Sequence, residues 1–150
     1  MIGLLCGCTK NETVDIVPVT KGFKSEFLIT DTEISGEITV SKDYGMHLVF
    51  NSPDDIYGTS LSFDGSFVTI DVHGITEQYD KSLLPASSPI TYIHSALINT
   101  ARCKPTQENG RIVIKGTTEH GDFTVYLNQT GRITRIMLLK ADISLELKTS

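Results

Sequence analysis

The side chains able to do chemistry in this 150-residue chain are scattered along it. His47, His73, His94 and His120 fall at no metal-ligand spacing, and Cys103 has no second cysteine nearby, so no zinc pattern can be read. Glu119-His120-Gly121-Asp122 brings together the side-chain types that move protons in general acid–base catalysis. It lies between two alternating runs, however, where such residues bond their own backbone and make a turn. Asp54-Asp55 follows Pro53 and offers two carboxylates to a cation, without the ligand spacing of a calcium loop. A solvated turn is the simpler reading. There is no Gly-x-Ser-x-Gly elbow and no glycine-rich phosphate loop. No catalytic residue, metal ligand or cofactor is assigned, and the chain is not expected to be an enzyme.

One cysteine has a chemistry of its own. Leu5-Cys6-Gly7-Cys8 resembles a bacterial lipobox, with Leu three residues before a Cys and a small residue next to it. The resemblance implies a diacylglycerol on the Cys8 thiol and removal of the residues before it. The chain would then be extracytoplasmic, anchored to a bacterial membrane as a lipoprotein. Residues 1–8 are read as the remnant of a signal peptide whose charged start and apolar run of about 7–15 residues begin upstream. Residues 9–21, polar and with one Pro, read as a flexible tether spanning roughly 20 Å root-mean-square. Two or three acyl chains would anchor it firmly, since each buried CH2 contributes about 0.8 kcal/mol. With Cys6 removed and Cys8 acylated, Cys103 cannot form an internal disulfide and is expected to be a buried, inert thiol.

The remaining segment, 22–150, is long enough for a real core without staples. A mean hydropathy of −0.02 and 39% apolar residues describe an ordinary globule. The net charge of −5 and thirteen dispersed Lys and Arg argue against a nucleic-acid partner. The dominant period is two. Phe23-Ser25-Phe27-Ile29 alternates with Lys24-Glu26-Leu28-Thr30, and further strands are expected over 35–42, 44–52, 56–64, 67–73 and 75–79. Asp64-Gly65 between alternating runs is the strongest hairpin signal. The character changes at Leu83-Leu84-Pro85-Ala86-Ser87-Ser88-Pro89. Ser88 then reads as an N-cap, Pro89 as the first helical residue, and Ile90, Ile93, Leu97 and Ala101 recur at helical spacing up to Lys104-Pro105. After a polar loop through Gly110, four strands are expected over 111–118, 122–128, 132–140 and 142–148. Short connections favour an antiparallel meander. A sheet of about ten strands must twist and curl, and its concave apolar face needs the helix as cover. The expected fold is α+β, mainly β: a strongly curved antiparallel sheet, an open half-barrel, with one main helix on its concave face.

Gly36-Glu37-Ile38-Thr39-Val40, Met46 through Pro53, Leu61-Ser62-Phe63-Asp64-Gly65 and the Leu84-Pro85 loop before the helix resemble the LolA/LolB-like superfamily of lipoprotein carriers and related envelope lipoproteins. The likeness covers roughly Phe23 to Ser150. It implies a LolA-like domain over 22–150 that holds acyl chains or other lipids in a cavity between sheet and helix. The chain departs from the carriers in having no Trp and no evident counterpart of their cavity Arg. The apolar residues read as lining such a cavity are Ile90, Ile93 and Leu97 of the helix. Facing them are Phe27, Ile38, Val40, Leu48, Phe50, Leu61 and Phe63 of the strands. The expected partners are the membrane through acylated Cys8, a lipid or lipoprotein acyl chain, and an envelope protein. The alternative to lipid binding is a tethered sensor or protein-interaction module with a filled core.

Overall fold

The computed structural model describes residues 21–85 and 88–148. The expected signal-peptide remnant and all of the expected tether before Lys21 lie outside the described residues. Six strands come first: β1 (Phe23–Ile29), β2 (Ser35–Val40), β3 (Met46–Ser52), β4 (Ser60–Phe63), β5 (Phe67–Val72) and β6 (Ile75–Asp80). The helix α1 (Pro89–Thr100) follows. Then come β7 (Thr106–Glu108), β8 (Arg111–Thr118), β9 (Gly121–Leu127), β10 (Ile133–Leu138) and β11 (Ile143–Lys148).

All eleven strands form one antiparallel sheet, in the order β6-β5-β4-β3-β2-β1-β11-β10-β9-β8-β7. Two meanders, one on each side of the helix in sequence, are joined where β1 pairs with β11, Phe27 opposite Leu147. The edge strands β6 and β7 do not meet, so the barrel is open. Two register breaks, at Ser35/Gly36 and at Tyr126/Leu127, add the local bending that bulges bring.

Alternation sets the two faces. Ile38, Leu48, Leu61 and Ile70 form one apolar row across β2–β5, and Val40, Met46, Phe63 and Val68 form the next. Thr39, His47, Ser62 and Thr69 form the row between them and face outward. The apolar rows of the C-terminal meander, among them Ile112, Phe123, Val125, Ile136 and Leu145, are buried in the same core.

Three elements differ from the sequence expectation. The fourth strand starts at Ser60 because Asp54–Ile56 forms a 3-10 turn. The extra strand β7 occupies what reads as a loop. It is all exposed and pairs with β8 through the two-residue turn Asn109-Gly110, both at positive φ (53° and 79°), as such a hairpin requires. The helix ends at Thr100, whose hydroxyl bonds back to the Ala96 carbonyl at 2.7 Å. Ser88 occupies the N-cap position, but its side chain makes no capping bond.

Candidate hydrophobic ligand site

The concave face and the helix bring all ten sequence-predicted lining residues into one apolar cluster. Phe27, Ile38, Val40, Leu48, Phe63, Ile90, Ile93 and Leu97 are buried, whereas Phe50 and Leu61 are partly exposed. Gly36 makes the junction between β1 and β3 possible. It lies in register between Phe27 and Phe50, whose rings meet edge to face with centroids 5.9 Å apart. A Cβ on Gly36 would stand 2.0 Å from the Val49 carbonyl oxygen. Gly116 does the same for Phe123, whose ring would be 2.7 Å from a Cβ there.

The helix is not centred over the sheet. It packs most closely on β8, and then on β9 and β10. Its two flanks are held differently. On one, Tyr92 is fully buried, stacks on His120 and donates its hydroxyl proton to the Asp122 carbonyl. The same hydroxyl accepts from the Lys140 amide at 3.3 Å. On the other, His94 reaches the N-terminal meander, its ring T-shaped against Phe63 with centroids 4.8 Å apart. Burial pushes the His94 imidazole below its ordinary value, and the charge of Lys81 adds to the effect. Between these flanks Ile90, Ile93 and Leu97 enter the core. The side of the site facing β1–β5 is therefore mainly apolar apart from the His94 ring, and among the described residues no hydrogen bond like that of Tyr92 ties the helix there.

Sequence reasoning took its strand candidates only from the N-terminal meander. Phe123, Ile136 and Leu145 belong to the same core. Their alternation over 122–147 was the signal available. Tyr92 was also missed, because it falls outside the Ile90–Ile93–Leu97 stripe.

The histidines, carboxylates and thiol are dispersed over the fold. His47 is exposed on the outer face, its Nδ1 2.7 Å from the Ser62 hydroxyl. His73 sits in the β5–β6 turn at φ 52°. In the 119–122 turn the Asp122 carboxylate accepts from the Thr117 hydroxyl at 2.8 Å, and the His120 amide donates to Thr118 Oγ1 at 3.0 Å. Asp54 and Asp55 are exposed in their 3-10 turn. Asp64 closes its hairpin by accepting from the Phe67 and Ser66 amides, both at 2.8 Å, which hold its carboxyl below the usual range. The Cys103 thiol is half-buried and pushed up by burial, as suits an inert thiol. Among the described residues no group of three or more His, Cys, Asp or Glu could hold a metal ion. None of the described helices is long and apolar enough to cross a membrane. Two surface depressions, of about 300 and 420 Å³, are lined mainly by outer-face residues, and of the ten candidates only Phe63 lines one of them.

No protein-family profile matches the chain, and no curated protein matches it. Three of the solved structures similar to it illustrate the likeness. One is an uncharacterized conserved protein from Thermus thermophilus: TM-score 0.52, 7% identity, covering 88% of this chain and 79% of that one. Another is the lipoprotein LppX of Mycobacterium tuberculosis: TM-score 0.50, 13% identity, covering 92% and 89%. The third is a LolA superfamily protein from Nitrosomonas europaea: TM-score 0.46, 11% identity, covering 87% and 85%. At such identities the likeness to the Thermus protein and to LppX is one of fold. The open half-barrel with a packed helix is the architecture expected from the strand alternation and the single helix.

Proposed function

We propose that this chain is a membrane-anchored envelope lipoprotein that takes an acyl chain or similar hydrophobic ligand between its sheet and helix, without catalysis. One observation carries this reading: among the described residues the helix is tied by the Tyr92 hydroxyl to the C-terminal meander, while on its other flank the half-buried His94 ring packs on Phe63 of the N-terminal meander. A helix held along one flank can swing from the other, and the space so opened is walled by Ile38, Leu48, Phe50, Leu61 and Phe63. Burial of an acyl chain there gains about 25 cal/mol per Å² of apolar surface removed from water. Phe50 and Leu61, the two partly exposed lining residues, mark the entrance. Acylation of Cys8 supplies the anchor, and the fold shared with a protein described as a lipoprotein supports that address.

The test is incubation with a lipid bearing a photoreactive acyl chain, followed by peptide mapping. Crosslinks on β3, β4 and α1 are expected. Crosslinks confined to outer-face residues would reject the site.

A second reading has its own observation. Ile75, Tyr57 and Leu139 are 71%, 61% and 50% exposed at turns along one rim, and β6 is an unpaired edge. An envelope protein could dock there, as expected of a tethered sensor. Loss of a co-purifying partner on Ile75→Lys, with lipid uptake unchanged, would favour it.

A further inference from the structure

The strand register divides every turn between two rims of the half-barrel. Phe23, Val40, Met46, Phe63, Val68 and Tyr79 form one continuous row across β1–β6. Just beyond that row lie Gly22, the turns 41–45 and 64–66, and the 3-10 turn Lys81–Leu83. The turns 109–110 and 128–132 continue the same rim in the C-terminal meander. The opposite rim holds the turns 30–34, 53–59, 73–74, 119–120 and 139–142 and the connection 101–105 that leads into β7.

The two rims differ in charge. The turns of the rim at Gly22 carry Lys21, Lys42, Lys81 and Arg132 against Asp43, Asp64 and Asp80, the cap of the Lys81–Leu83 turn. Those of the opposite rim carry Asp31, Glu33, Asp54, Asp55, Glu119 and Asp142 against Arg102, Lys104 and Lys140, an excess of acid where the first rim has none. In a chain of net charge −5, the first rim is the one that an anionic surface does not repel. Exposed apolar side chains occur on both rims, so they do not choose between them. The charge and the exit of the chain both do. The segment between Cys8 and Gly22 leaves from the first rim, and its thirteen residues reach at most about 45 Å when fully extended. On that rim Leu83 is 73% exposed and Phe67 40% exposed, and the Lys81 amide bonds the Ser66 carbonyl at 2.9 Å, holding the two turns together.

We propose that the rim bearing Lys21, Lys42, Lys81 and Leu83 is a membrane-contact surface that rests on anionic lipid headgroups, with Leu83 dipping among them and the acidic rim pointing away. This rests on the reading of Cys8 as an acylated anchor and adds to it a fixed orientation of the half-barrel. The Lys side chains supply electrostatic attraction and Leu83 the apolar contact, the two parts of a peripheral membrane surface.

The chain contains no Trp, so a single introduced Trp reports its own surroundings. The acylated full chain carrying Leu83→Trp or Ile75→Trp is reconstituted into vesicles of phosphatidylcholine and phosphatidylglycerol with brominated acyl chains. Both sites are more than 70% exposed, so neither variant disturbs the core. The expected result is blue-shifted, quenched emission from Leu83→Trp and unshifted, unquenched emission from Ile75→Trp. Adding Lys42→Glu and Lys81→Glu, or raising the salt, should relieve the quenching while the protein still floats with the vesicles. Flotation without quenching at Leu83→Trp, or quenching at Ile75→Trp instead, overturns the orientation and leaves the anchor standing. Failure to float overturns the anchor and the orientation together.

Discussion

Replacing Tyr92 with Phe tests whether the helix is latched on one flank. The hydroxyl makes two bonds, to the Asp122 carbonyl and from the Lys140 amide. Their losses are unequal in consequence. The Asp122 carbonyl also accepts from the Leu139 amide at 3.2 Å, so it stays satisfied. The Lys140 amide loses only a long bond, of 3.3 Å, on a turn residue. The ring itself remains stacked on His120. The net loss is therefore close to one hydrogen bond, about 1 kcal/mol, well below the roughly 3–5 kcal/mol of an aromatic-to-Ala truncation. For a domain of this size that lowers Tm by about 2–4 °C. Urea denaturation should show the same loss, and amide exchange should accelerate in α1 more than in β1–β5. Unchanged stability together with unchanged exchange in α1 would mean that Tyr92 does not hold the helix. A loss of several kcal/mol would mean that the polar groups left behind are truly stranded, contrary to the geometry.

Other substitutions probe the packing and the titratable groups. Gly36→Ala puts a methyl 2.0 Å from the Val49 carbonyl oxygen and should cost at least the roughly 1–3 kcal/mol of overpacking, read as a lowered urea midpoint. Leu97→Ala, at a side chain 1% exposed, should cost about 2–5 kcal/mol, and a bound lipid should offset part of that loss in a thermal shift. The folded protein holds His94 below the 6.5 of a free imidazole, so below about pH 6.5 the unfolded chain binds the extra proton first. Stability conferred by the neutral ring is thus full above that pH and falls as pH drops toward the folded value; His94→Gln should flatten this part of the pH–stability curve. Cys103 should react with iodoacetamide more slowly in the folded protein than in urea at the same pH, since burial raises its thiol pKa. Equal rates would remove the inert-thiol reading.

Strong alternation made the sheet legible. Phe23, Phe27 and Ile29, and Met46, Leu48 and Phe50, share the core face as the period-two pattern requires, while Leu28 and Val49 fall on the outer one. The helix was legible from Ser88-Pro89 and its stripe. Its last residues were not, because Asn99 and Thr100 satisfy Ser95 and Ala96 with their side chains and let the helix stop. Strand β7 was hidden since Thr106-Gln107-Glu108 buries nothing and is held by backbone pairing alone. The ten candidate lining residues do converge, because their faces follow from alternation once the sheet curls. What alternation could not reveal is the position of the helix on the concave face. That depends on Tyr92 finding the Asp122 carbonyl thirty residues on, a contact without a local sequence signature.

The most direct test of lipid binding is native mass spectrometry of the chain carrying Cys8→Ser, expressed in a bacterial host and purified without detergent. Without the acylated thiol, any lipid observed is held non-covalently. A species of lipid mass that is lost in Leu97→Asp or Phe50→Asp, with the fold retained, is the result expected. A clean apo mass that stays apo after incubation with phospholipid would contradict it and point to the rim of Ile75, Tyr57 and Leu139 as the working surface.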